Sequence, residues 1–155
     1  MKIRALAMVL AFCASPAAAD DGDMIGKVST AFKLLGPNDH IAVMAFDDPK
    51  FPGVACHLST ARRGGVSGAI GLAEDASDSS IACRQVGPID KAAAARLPKE
   101  PEVVFSERKS ILFKKLTVHR MYDPKRQVLV YLTVSDRLID GSPKNSISTV
   151  PLWKE

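Results

Sequence analysis

Between Cys56 and Cys83 the chain gathers the residue types most able to do chemistry. Arg62 and Arg63 come first, then Gly64, Gly65, Gly68 and Gly71, then the carboxylates Glu74, Asp75 and Asp78. A phosphate cradle needs G-x-G-x-x-G between a strand and a helix, or a glycine loop ending in G-K-[ST]. Neither pattern is present, and no lysine follows the glycines directly. They read instead as tight turns or places where backbones come close. The three acids could ligate a hard cation through oxygen, but the alternating acids and closing glutamate of an EF-hand loop are missing. On a helix, Glu74 and Asp78 would stand four apart and repel. The same acids suit a helix start, where the helix dipole favours them, with Ser77 and Asp78 as turn or cap residues.

Other reactive groups are scattered. His40, His57 and His119 have no H-x-x-x-H or C-x-x-C partner, and no serine sits in a G-x-S-x-G elbow. Two readings keep chemistry in the picture. One is an enzyme of unrecognised type, with Glu74, Asp75 or Asp78 as acid or base and Arg62 or Arg63 holding an anion. The other is a structural protein stabilised by a cation at the same acids. With no positive motif for either, the leading expectation is a non-catalytic module, without cofactor or catalytic metal, that binds a protein or a small ligand. Its contact surface is expected on the Arg62–Asp78 loop, Arg62, Arg63, Glu74, Asp75 and Asp78 included, because function concentrates on loops held by a scaffold.

The N-terminus sets the compartment. Lys2 and Arg4 precede an uncharged apolar run, Ala5 to Ala14, and Ala17-Ala18-Ala19 supplies the small residues a signal peptidase reads. The run is far short of the ~20 residues of a spanning helix. Residues 1–19 therefore read as a cleaved signal and 20–155 as one periplasmic domain. Leu10-Ala11-Phe12-Cys13 is a poor lipoprotein box, since Phe12 is bulky, so Cys13 leaves with the signal. Losing Lys2 and Arg4 lowers the formal net charge of +4 by two. No basic stretch with interleaved aromatics remains, which excludes a nucleic-acid footprint. Cys56 and Cys83 are then the only cysteines left. In an oxidising compartment they read as a structural disulfide, with a redox pair or metal ligands as the alternative.

The elements that must hold these residues are mostly strands. IGKVSTAF (25–32), HIAVMAF (40–46), VACHLST (54–60), SIACRQV (80–86), Glu102–Phe105, Ile111–Met121, Gln127–Ser135 and Ile147–Leu152 are β-branched, apolar or alternating. Turn clusters separate them: Gly36-Pro37-Asn38-Asp39, Asp47-Asp48-Pro49, Tyr122–Arg126 and Gly141–Asn145. DKAAAARL (90–97) is the clearest helix, capped by Asp90 and stopped by Pro98. The expected fold is mainly β with one or two short helices, an α+β single domain built on an antiparallel sheet or partial β-barrel.

Four stretches also carry a resemblance. VSTAFKLLGPNDHIAVMAFDDPKFPGVACHLS, GGVSGAIGLAEDASDSSIACRQVGPI, EVVFSERKSILFKKLTVHRMYDPKRQVLVYLTVSD and GSPKNSISTVPL run in order from Val28 to Leu152. Together, through FDDP, GLAEDxSD, CxQVGPI and GSPKNxIS, they resemble the CreA family of small exported proteins of Gram-negative bacteria. The resemblance implies a periplasmic protein of uncharacterised function. It brings no catalytic or ligand residues onto this chain, and both cysteines match its pattern.

Overall fold

Alternation of buried and exposed side chains builds two four-stranded antiparallel sheets. The computed structural model describes residues 22–66, 79–108, 115–135 and 143–152. In the first sheet β1 (Asp23–Ala31), β2 (Asp39–Asp47), β3 (Val54–Arg62) and β4 (Ser79–Gln85) follow chain order. The second sheet holds β5 (Glu102–Arg108), β6 (Lys115–Asp123), β7 (Val128–Ser135) and β8 (Asn145–Pro151), also in order. Every pairing is antiparallel. The expected mainly-β, single-domain fold is what forms, as two facing sheets and not as a closed barrel.

The inner faces supply the core. Met44, Phe46, Cys56, Leu58, Ile81 and Cys83 face Phe105, Leu116, Val118, Leu129, Tyr131 and Val150. Burying each large apolar side chain contributes about 1.5–3 kcal/mol. Phe46 of β2 stacks on Phe105 of β5, centroids 4.4 Å apart, so these two strands seal one flank. On the other flank β4 and β8 lie side by side without a shared ladder. Here the Cys83 N–H donates to Ser148 Oγ at 2.8 Å, a side-chain bond in place of a backbone one.

A helix α1 (Lys91–Ala95) lies between the sheets in sequence. Asp90 caps it as expected, accepting from the Ala93 N–H at 3.0 Å. So short a helix holds only by packing, and Ala94 is fully buried with Ile89, Ala93 and Leu97 against the core. The β6–β7 hairpin turns where the sequence breaks, with Asp123 Oδ1 accepting from the Lys125 and Arg126 N–H groups. Gln127 takes a positive φ of 53° there, so β7 starts at Val128, one residue later than expected.

β1 is different from the other seven strands. It pairs only with β2, and along it every residue but Gly26 is exposed. The second sheet ends at β5, which lies opposite β2, so β1 overhangs the sandwich with nothing on either face among the described residues.

Cys56 and Cys83 are direct cross-strand neighbours, both buried, and bonded to each other. The pairs His57–Ala82, Leu58–Ile81, Ser59–Ser80 and Thr60–Ser79 stand between the bond and the loop. The disulfide therefore staples the ladder, not the neck of the loop. Chain-entropy arguments value a ring of this size at about 3–4 kcal/mol. Converting both cysteines (Cys56→Ala with Cys83→Ala) should cost about that much in urea unfolding. Non-reducing mass spectrometry should find neither cysteine open to alkylation.

Candidate functional site

The strand directions give the sandwich two unlike ends. At one end lie the β2–β3 connection, the starts of β5 and β7 and the end of β6. At the other lie the ends of β3, β5 and β7 and the starts of β2, β4, β6 and β8.

The first end is organised by one buried carboxylate. Asp48, in the FDDP turn, is 1% exposed. Its Oδ1 accepts from the backbone N–H groups of Lys50 (2.8 Å) and Phe51 (3.0 Å) and from Arg120 Nη1. Its Oδ2 accepts from the Tyr131 hydroxyl at 2.7 Å. Arg120, 3% exposed, reaches past Asp48 to donate from Nη2 to Glu102 Oε2 at 2.6 Å. Lys50 closes the rim with a 3.6 Å ion pair to Glu102, and the Phe51 ring lies 5.0 Å from the guanidinium carbon. The β2–β3 turn of the first sheet is thus tied to β5, β6 and β7 of the second.

Electrostatics follow from that geometry. The Arg120 hydrogen bond holds the Glu102 carboxyl below its usual range. Burial alone would lower the Arg120 pKa, but its bonds to Asp48 and Glu102 outweigh this and raise it. Burial, then the charge of Asp48, pushes the Tyr131 hydroxyl well above its usual range. Acid, cation and phenol converge here, but all three are shut from solvent. The cluster clamps the β2–β3 turn to the second sheet.

The opposite end is polar inside and, among the described residues, has no such closure. Arg62, at the end of β3, pairs with Glu107 of β5 and touches Met44 Sδ at 3.5 Å. Among the described residues Arg62 Nε and Glu107 Oε2 have no partners, nor do the buried hydroxyls of Thr60, Ser79, Thr133 and Ser146. Thr60 faces Ser79 across the β3–β4 ladder, and Thr133 faces Ser146 across β7–β8. A shallow groove of about 220 Å³ runs over the outer side of the same β3–β4 pair, lined by Ile41, Ser59, Ala61 and Ser80 with Thr60 and Ser79.

Two turns are locked together at this end. The Gly64 N–H donates to Asp39 Oδ1 at 2.7 Å and the Gly65 N–H to the Pro37 carbonyl at 2.6 Å. Gly36 (φ +83°) lies against the Gly65 backbone, and a Cβ on Gly64 would collide with the Pro37 carbonyl. The glycines read as close backbone approach serve that purpose at Gly64. The Gly64 bond, then Lys33, lowers the Asp39 pKa, and a Lys33 Nζ–Asp39 Oδ2 contact of 3.2 Å completes the lock.

Of the site residues expected from sequence, Cys56 and Cys83 meet as described. Arg62 is committed to Glu107, and Arg63 is exposed at the strand's end. Glu74, Asp75 and Asp78 lie outside the described residues. Among the described residues no group of three or more His, Cys, Asp or Glu side chains is placed to hold a metal ion. No described helix is long and apolar enough to cross a membrane.

Sequence reasoning passed over Asp48, Glu102, Glu107, Arg120 and Tyr131. A signal existed for Arg120, which shares the inward face of β6 with Leu116 and Val118, where a charge demands a partner. Glu107 follows Phe105 inward in the same way.

Removing one member of a buried pair leaves the other charge uncompensated, at a cost of about 3–5 kcal/mol. Asp48→Ala and Arg120→Ala should each show a loss of that order in chemical unfolding. Lys33→Ala, at an exposed pair, should cost under about 1 kcal/mol. Glu102, its pKa depressed, stabilises above the ordinary carboxylate range and loses that contribution as pH falls through its folded value. Tyr131, its pKa raised, contributes fully below about pH 10 and progressively less above it, as the unfolded phenol ionises. Unfolding free energy measured across that alkaline limb should fall in the native protein and flatten in Tyr131→Phe.

Comparisons with known proteins agree with this fold's sequence signature. A family model described as CreA protein matches residues 25–155. Protein CreA of Escherichia coli strain K12 is 50% identical over 134 residues, covering 84% of this chain and 85% of that protein. Protein CreA of Escherichia coli O157:H7 shows the same identity and coverage. No solved structure matches the chain. Through the family match and the identity to these relatives over most of its length, the chain belongs to the CreA family.

Proposed function

We propose that this protein is an exported, periplasmic binding module without a catalytic role, and that it engages its partner at the polar loop end. One observation carries the reading. Seven buried side-chain polar atoms lack a hydrogen-bond partner among the described residues, and all but Arg120 Nε lie at that end. Leaving such a group unsatisfied costs about 1–3 kcal/mol. Native folds tolerate this where a bound group or water completes the set. Binding is favoured over catalysis because Arg62 and Glu107, the charged pair that bridges the sheets at this end, neutralise each other. The cluster where acid and base do converge, around Asp48, is closed to substrate.

Export is supported by the signal-like N-terminus and by the buried Cys56–Cys83 disulfide, a bond that persists in oxidising compartments. A light-activated crosslinker at Val66, exposed at the loop end, should capture a partner in intact cells. The same probe at Arg126, exposed on the opposite hairpin, should not. Equal capture from both positions, or from Arg126 alone, would refute the assignment of the binding end. Periplasmic extracts should contain the protein with residues 1–19 removed.

A further inference from the structure

The overhanging strand β1 points to a second copy of this chain. We propose that two molecules pair through β1, antiparallel about a two-fold axis near Val28, joining their first sheets into one continuous sheet. This goes beyond loop-end binding, since it uses the edge and faces of β1 and not the strand ends around Thr60 and Thr133.

Three observations converge. β1 hydrogen-bonds on one side only, and its outer edge is open among the described residues. An exposed strand edge is a template for another strand. The strand and the turn after it also leave large apolar side chains bare among exposed polar ones. Phe32 is 79% exposed, Leu34 87% and Leu35 71%, with Met24, Ile25 and Val28 more than half exposed. Residues 22–38 come close to the roughly 20–30 residues a side of a standard interface.

Charge selects the occupant and the direction. Along β1 Asp23 lies at the start, Lys27 beside Val28 and Lys33 past the far end. A parallel copy would set like against like. An antiparallel copy centred on Val28 sets each Asp23 against the other molecule's Lys33. It also sets Met24 against Phe32, and Val28 against itself. Lys33 stays available on its exposed side while bridging Asp39. Two register shifts in β1, at Ile25 and Thr30, blunt the edge against strands of arbitrary register. Such a contact is isologous and closes at two copies.

The test is oligomeric state. Light scattering and sedimentation of the purified protein should show a dimer that dissociates on dilution. Val28→Lys places two lysines face to face at the axis and should weaken it at least about tenfold, with the far-UV spectrum unchanged because Val28 is exposed. Val28→Cys should form a disulfide-linked dimer under oxidation. Ile147→Cys, equally exposed on β8, should not. A monomer at every concentration, or a dimer indifferent to Val28→Lys with no Val28→Cys crosslink, would overturn the proposal. A monomer whose β1 is instead taken by another protein or a lipid surface counts among the overturning results.

Discussion

A carboxylate taken out of water must be met by donors on every side, and Asp48 is met by two backbone N–H groups, a guanidinium and a phenol. Those donors come from different places. The N–H groups belong to its own turn, Arg120 to β6 and Tyr131 to β7. Satisfying the charge therefore fixes how the two sheets meet. The stacked Phe46 and Phe105 rings and the Cys83–Ser148 bond follow from that alignment on either flank. An apolar core of this composition could pack in several ways at similar cost. A buried charge with directional partners tolerates far fewer. We therefore read the cluster as a register device, which is the best attested role of buried ionic groups.

The opposite end shows what the sandwich looks like without such closure. There the inward positions of β3, β4, β7 and β8 turn from Leu58, Ile81, Tyr131 and Val150 to Thr60, Ser79, Thr133 and Ser146. One face carries an apolar core for most of its length and a hydroxyl belt at its last step. The Gly36–Gly65 lock holds the neighbouring turns in place beside it. Rigid support around incompletely satisfied polar groups is the arrangement expected of a binding end. β1 is a second region where the fold leaves a requirement unmet, a strand whose Met24, Ile25 and Val28 have no cover among the described residues.

Much of the fold was legible because its signals are local. The apolar run HIAVMAF and the alternation in SIACRQV mark β2 and β4, Asp90 and Pro98 bracket α1, and the turn residues at Asp123–Arg126 mark the hairpin. The Cys56–Cys83 bond follows from the cysteine count and the export expected from the N-terminal residues. The ionic clamp was not read, because Asp48 meets Arg120 and Tyr131 only across 72 and 83 residues of chain. Asp48 looked like a turn residue, which it also is, since it bonds Lys50 and Phe51 in its own loop. Arg120 looked like one more polar position in a strand. The glycine-rich, acidic stretch stands out by composition; geometry explains Gly64 and Gly65, while Gly68, Gly71 and the acids lie outside the described residues. The hydroxyls at Thr60 and Thr133 are ordinary in strand sequences, and only the inward facing of both makes them informative.

Residue-resolved hydrogen exchange of the folded protein tests the contrast between the two ends most directly. Amides at the clamp, Phe51, Val54, Leu129 and Tyr131, should exchange only through global unfolding. Thr60, Thr133 and Ser146 should exchange through a separate local opening of markedly lower free energy. Equal protection at both ends, or a clamp that opens before the hydroxyl belt, would contradict it.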